Sequence, residues 1–226
     1  MNKVNREALV EEITKLVIAE LKQHHMLQDT ALQSKPLAPY VPVSVSARHV
    51  HLQQEHVDIL FGKGYQLTKD RDISQPGQYA CQETVTLMGP GGKISNVRAL
   101  GPLRKQTQVE VARSDARVLG ISPPVRHSGD LKGSAPIVII GPKGTVRLKE
   151  GCIIADRHIH MTPQDAQAYG VYNSQKVSVL VEGEKGGIMN QVTIRVRDDY
   201  ALDMHIDTDD ANAFGLTGNE YVKIIL

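Results

Sequence analysis

The chain has no tryptophan, two phenylalanines and seven tyrosines among 226 residues. Rows of aromatics on which nucleobases could stack are therefore excluded. The formal charge is +1, so neither nucleic acid nor an anionic membrane surface is an expected partner. No apolar run approaches the length needed to cross a bilayer, and the N-terminus lacks the apolar core and cleavage site of a secretory signal. The two cysteines, Cys81 and Cys152, form no C-x-x-C. They imply neither a disulfide framework nor a thiolate zinc site, and a reducing cytosol is expected. Any metal must then be held by histidine and carboxylate. Also missing are G-x-x-x-x-G-K-[ST], a G-x-G-x-x-G after a strand, and G-x-S-x-G. Nothing indicates a covalent serine or cysteine intermediate.

What the sequence does contain is repeated. Ala47–Leu52 reads Ala-Arg-His-Val-His-Leu, and 109 positions later Asp156–Met161 reads Asp-Arg-His-Ile-His-Met. Each copy follows a β-prone run. Alternate side chains of a strand share a face, so His49 and His51 point one way, as do His158 and His160. Two imidazoles about 6–7 Å apart along a strand can chelate one metal ion. One such pair alone reads equally well as exposed histidines on an edge strand. The duplication, with arginine at the same place in both copies, favours the ligand reading.

A second pattern, Asp-Ala-x-x-x-Gly-aliphatic, occurs at Asp115–Ile121, Asp165–Val171 and Asp210–Leu216. Each reads as a short helix closed by a C-terminal glycine, and the segment ending Phe61-Gly62 is a looser fourth copy. This repeat aligns further polar residues, because Glu110 stands five positions before Asp115 and His205 five before Asp210. The set His49, His51, Glu110 thus mirrors His158, His160, His205. Two sites with three protein ligands each leave coordination positions open, the mark of a catalytic metal. Zinc suits such ligands best, with iron, cobalt, nickel or manganese open. His56 and His127 fall outside the pattern and read as surface or supporting residues. Leu100-Gly101-Pro102-Leu103-Arg104 is a fixed turn that aims a guanidinium close to Glu110. Arginine beside metal implies an oxyanion substrate, most simply phosphate.

Residues 1–27 contain an amphipathic helix, from Asn5 as N-cap through a stripe of Leu9, Ile13, Leu16, Val17 and Leu21. His24 and His25 read as solvated. Residues 28–42 carry Pro36, Pro39 and Pro42 and read as a linker. The rest is mainly β with short helices, its short strands broken by Gly-containing turns such as Gly89-Pro90-Gly91-Gly92 and Gly141-Pro142-Lys143-Gly144. That pattern suggests barrels or sandwiches. The repeat divides this body into a first β-barrel over 43–135 and a second over 136–226, with the halves free to interleave.

At this point the motifs are recognisable. The chain resembles the PduL-type phosphotransacylases (phosphate propanoyltransferases) of bacterial microcompartments. The resemblance rests on 45–52, Gln75-Pro76-Gly77-Gln78-Tyr79-Ala80, 96–104, Gln108-Val109-Glu110, Gly129-Asp130-Leu131-Lys132-Gly133, 157–161 and Met204-His205-Ile206-Asp207-Thr208-Asp209, spread from residue 43 to the C-terminus. It implies two tandem β-barrel domains with capping helices, a homodimer, and two zinc ions per chain. It also implies the reaction of acyl-CoA plus phosphate giving acyl phosphate plus CoA, and its reverse. By motif, the two triplets are implied zinc ligands, Arg104 the phosphate contact, and Ser46, Arg71, Arg98, Leu100 and Asn212 the CoA contacts. Gln53 departs from the Ser or Thr helix cap frequent in the family. The N-terminal helix resembles the encapsulation peptides that dock cargo onto shell proteins or other cargo, which places the chain in the microcompartment lumen.

Two other readings compete. His49-x-His51-x-x-x-Glu55-x6-Gly62 has the spacing of a first cupin motif, though Gln164 breaks the second copy. A non-catalytic zinc-stabilised cargo-binding module is the other.

Overall fold

A computed structural model describes residues 38–226, and the expected helix of 1–27 and the linker as far as 37 lie outside them. Fourteen strands and four short helices follow in those residues. Strand β1 spans Tyr40–Ser46, β2 His49–His51, β3 Lys69–Asp72, β4 Tyr79–Gly89, β5 Gly92–Gly101, β6 Gln108–Glu110 and β7 Val125–Arg126. Then come β8 Ala135–Ile140, β9 Thr145–Ala155, β10 His158–Met161, β11 Lys176–Val181, β12 Gly187–Val196, β13 Asp203–Asp207 and β14 Tyr221–Ile225. The helices are α1 Gln54–Phe61, α2 Arg113–Leu119, α3 Pro163–Tyr169 and α4 Thr208–Phe214.

The strands close two rings. One is the barrel β1-β13-β10-β12-β11-β14. In the other sheet β8 pairs with both β4 and β9, which joins β9-β6-β2-β5-β4-β8 into a second ring. Read in those orders, both rings run parallel, antiparallel, parallel, then antiparallel three times.

Two expected boundaries move. The strand begins at Tyr40, so Tyr40–Pro42 are strand rather than linker. Val41 and Val43 are buried at 0% and 2% exposure, and the apolar area they cover outweighs the prolines' preference for a tether. The division at 135/136 also does not follow the pairing. β8 and β9 complete the ring that contains β2, while β1, before that ring in sequence, belongs with 158–226. Local pattern cannot show this, because strand exchange is a long-range pairing.

Each ring has its own apolar interior. Val50, Leu87, Val97, Val109, Ile139 and Cys152 fill one. Val43, Ile159, Val179, Ile194, Met204 and Ile224 fill the other. Strand alternation sends Val50 and Ile159 inward at 0% exposure, and their histidine neighbours therefore go to the other face. The Asp-Ala-x-x-x-Gly segments are helices, and Gly120, Gly170 and Gly215 close them with φ of 68°, 67° and 67°, which only glycine adopts cheaply.

Candidate metal and anion site

The histidine strands sit in equivalent frames. On one side of β2 the parallel strand β5 aligns His49 with Arg98 and His51 with Leu100. On the other, antiparallel β6 aligns His49 with Glu110 and His51 with Gln108. On β10 the partners are β12, aligning His158 with Thr193 and His160 with Arg195, and β13, aligning His158 with His205 and His160 with Asp203. Glu110 and His205 thus occupy the same place opposite the first histidine of each pair, as their spacing from Asp115 and Asp210 predicts. The reason for that spacing is now visible. Arg48 reaches Asp115 at 2.8 Å and Arg157 reaches Asp210 at 3.2 Å, so each arginine before a histidine strand is clamped to the helix after the third residue.

The protonation pattern is legible from acceptors. His49 Nδ1 lies 2.8 Å from the Ala47 carbonyl and His158 Nδ1 lies 2.7 Å from the Asp156 carbonyl. A carbonyl only accepts, so both Nδ1 atoms carry a proton, which leaves Nε2 of each ring as the atom that can ligate. His49 Nε2 faces Glu110 Oε2 at 3.5 Å. Such a contact needs a positive charge between its two atoms, a proton or a metal ion. His51 Nδ1 and both ring nitrogens of His160 are buried with no hydrogen-bond partner, a costly state that a metal ion relieves. Among the described residues, His49, His51 and Glu110 form one group whose ligand atoms all lie within 4.8 Å of one another. The rings of His158, His160 and His205 pack with centroids 4.6–5.2 Å apart. Donor set, tautomers and orphaned nitrogens all fit a divalent cation.

Burial sets the charge states. It pushes His51 well down, His158 to about 4 and His160 to about 2, with the neighbouring histidines adding to the effect. Burial alone would raise Glu110, but His49, His51 and Arg104 hold it down at about 2. The rings of His51, His158 and His160 are therefore neutral and Glu110 is anionic.

Around the first group, Gln108 Nε2 donates to Glu110 Oε1 and, at 2.8 Å, to Ser128 Oγ; Ser128 Oγ donates to Glu110 at 3.1 Å. Arg104 donates to Ser128 Oγ at 2.9 Å, and its backbone N–H donates to the Leu52 carbonyl at 2.9 Å. Around the second, Tyr200 lies over His160 with ring centroids 4.0 Å apart, and Asp203 Oδ2 comes within 3.2 Å of His205 Nε2. Gln75 is held by Ala201 through both ends of its carboxamide, at 3.1 and 3.2 Å, and places Nε2 3.4 Å from His205 Nε2.

Both triplets, Arg104, Ser46, Arg71, Arg98 and Leu100 line one cleft of about 1220 Å³. Arg98 donates from Nη1 to the Cys81 and Gln82 carbonyls at 2.8 and 3.2 Å, and Arg71 pairs with Asp70. Asn212 is exposed on α4, outside that lining, and its carbonyl accepts from Lys185. His56 bonds Thr107 Oγ1 at 2.7 Å, and His127 lies 3.8 Å from Asp156. The cupin spacing is not realised, because Glu55 sits on α1 and bonds Gln53 rather than approaching the histidines. Cys81 and Cys152 are buried and pushed up to about 11 and about 12, which removes them as nucleophiles. Tyr200, Asp203, Gln108 and Ser128 were not singled out from the sequence. Gln108 and Asp203 carry a signal once the repeat is aligned, since each stands two residues before the third residue of its triplet.

Fold and site together define a β-barrel protein whose cleft joins a metal-competent group, His49, His51 and Glu110, and a cluster of three histidines to a half-buried guanidinium. The family model for phosphate propanoyltransferase matches residues 42–217, and the chain belongs to that family. The phosphate propanoyltransferase of Thermotoga maritima is 55% identical over 188 residues, covering 83% of this chain and 90% of its own. That of Lachnoclostridium phytofermentans is 50% identical over 217 residues, 96% and 98% of the two chains. That of Rhodobacter capsulatus is 50% identical over 208 residues, 92% and 94%.

Proposed function

We propose that the protein is a phosphate acyltransferase that moves a short acyl group between coenzyme A and orthophosphate. The observation that carries this reading is the convergence of both triplets and Arg104 on one cleft. The names of the relatives support phosphate and an acyl donor as substrates. His49, His51 and Glu110 would hold one zinc ion, and His158, His160 and His205 a second. The chemistry a bound divalent cation supplies there is Lewis-acid polarisation of an oxygen.

The chain's own groups do the positioning. The fork of Arg104, fixed by Ser128 and by the Leu52 carbonyl, grips a phosphate dianion and aims one oxygen at the thioester carbonyl carbon. A C–O bond forms there and the C–S bond breaks, its electron pair leaving on sulfur. The proton of the attacking phosphate ends on the thiolate. With a thiol of pKa about 8.5 as leaving group, no strong general acid is needed. In this reading Ser46, Arg71, Arg98 and Leu100 contact CoA along the cleft, and Asn212 does so from its exposed helix. Two barrels arising from an internal repeat, a homodimer, and docking of the N-terminal helix on shell or cargo proteins in a microcompartment lumen complete the proposal. Thiol release should be assayed with acetyl-, propanoyl- and butanoyl-CoA, with and without phosphate, and metal counted on the same sample. Absence of phosphate-dependent thiol from a metal-loaded, folded protein would sink it.

A further inference from the structure

We infer that Arg195 is a second guanidinium contact for the phosphoryl group, acting from the barrel opposite Arg104. This deepens the reading above and rests on it. Six arginines line the cleft: Arg48, Arg71, Arg98, Arg104, Arg195 and Arg197. Three are neutralised by carboxylates, Arg48 by Asp115, Arg71 by Asp70 and Arg197 by Asp199, at 2.8, 3.0 and 2.6 Å. Arg98 is turned by its Nη1 toward two backbone carbonyls, those of Cys81 and Gln82. Arg104 has only a hydroxyl, that of Ser128. Arg195 has no hydrogen bond or ion pair among the described residues, only the face of Tyr200 5.9 Å from its guanidinium carbon.

The placement of Arg195 is built in. It pairs in register with His160 on β12, where the first barrel has Leu100 opposite His51. Tyr200 stacks on His160 and closes the space beneath the guanidinium. The guanidiniums of Arg104 and Arg195 face one cleft from different barrels; burial lowers the Arg104 pKa, Glu110 opposes the shift, and Arg195 adds to it. Two guanidiniums without a carboxylate in ion-pair contact on one cleft mark the place of an anion, and a dianion with several oxygens satisfies both forks. Because Arg195 sits beside a histidine strand, the anion it fits is orthophosphate or the phosphoryl group of an acyl phosphate. The 3′-phosphate of CoA is the other source of the same chemistry.

The test uses the metal-loaded full chain and its Arg195→Gln and Arg195→Lys variants. KM for phosphate, KM for acyl-CoA and for its 3′-dephospho form, kcat and metal content are measured. Arg195→Gln should raise the KM for phosphate about tenfold to a hundredfold. The KM for acyl-CoA should stay within about twofold and the metal content unchanged. Arg195→Lys, which keeps the charge, should recover part of the loss and covers the case in which the Gln variant does not fold. An unchanged KM for phosphate overturns the inference, as does a defect in acyl-CoA KM that vanishes with the 3′-dephospho form, or loss of metal. If the unaltered protein shows no phosphate-dependent turnover, it is the functional reading that fails.

Discussion

The two triplets share a frame and differ in where they keep their carboxylate. On β6 the residue opposite the first histidine is Glu110 and the one opposite the second is Gln108. On β13 the order is reversed in character, with His205 opposite the first and Asp203 opposite the second. Each half therefore carries one acid, but only in the first does it stand among the proposed ligands. A cation in the first half loses more of its charge to its own ligands than one held by three neutral rings. The flanking arginine also changes place: Arg98 stands opposite the first histidine of the first half, Arg195 opposite the second histidine of the second. One scaffold thus gives two sites of different character through exchanges at all four cross-strand positions.

That contrast can be broken most severely by removing the acid from the first triplet. Glu110→Ala should lower turnover by about 10³-fold, the loss of several kcal/mol of charge stabilisation, and release metal from the first site, read by elemental analysis. His205→Glu would instead make the halves alike. Arg104→Ala should reduce kcat/KM for phosphate by about 10²–10³-fold with metal content retained. Normal turnover in that variant would remove Arg104 from the site.

The clamps give a smaller effect that discriminates between halves. Asp115 is 8% exposed at its side chain and Asp210 23%. Asp115→Asn should cost about 1.5–3 kcal/mol in chemical denaturation. Asp210→Asn should cost less, because solvent screens its pair with Arg157.

Acid acts on both halves. Two histidine pKa values of the second triplet lie below the ordinary 6.5, at about 4 for His158 and about 2 for His160, and His51 of the first is also pushed well down. The unfolded chain therefore takes up protons that the folded metal-free chain refuses. Their contribution is complete above pH 6.5 and is lost as pH falls toward 4, by up to about 1.4 kcal/mol per pH unit per ring. Glu110, held at about 2 against 4.5, contributes above pH 4.5 and loses that contribution only below it. Denaturation of the metal-free protein at stepped pH should show weakening begin below 6.5, with a shallower slope in His160→Asn. A flat profile from pH 6.5 to 4.5 would contradict the neutral-ring assignment.

The smallest expected effect concerns caps. Thr162 accepts the Asp165 N–H at 3.1 Å, whereas Gln53 makes no such side-chain bond at the start of α1. Thr162→Ala should cost about 1 kcal/mol in a thermal melt.

Much of this was open to reading in the chain itself. The two H-x-H copies place both strands, and the distance to Asp115 and Asp210 picks out Glu110 and His205 before any pairing is known. Helices closed by Gly120, Gly170 and Gly215 follow from backbone chemistry alone. What could not be read depends on partners far apart in sequence. The assignment of β1 to a barrel whose other strands begin at His158 is one case. The approach of Gln75 to His205 across 130 positions is another. Tyr200 looked like one of seven scattered tyrosines because nothing local marks a ring that stacks on His160. Arg71 and Arg195 look alike as letters, and only the surrounding carboxylates separate them.

The threading of β1 has one more consequence. The ring containing β2 is continuous in the chain, from His49 to Ala155, and so lies as an insertion between the first strand of the other barrel and its remaining five. During synthesis the earliest of these strands must wait for Asp203–Asp207 before the first of its neighbours exists. The inserted barrel can close on its own while that strand stays bare, so the order of closure is dictated by topology. Pulse-labelled hydrogen exchange during refolding should find Val50 and Val109 protected before Val43.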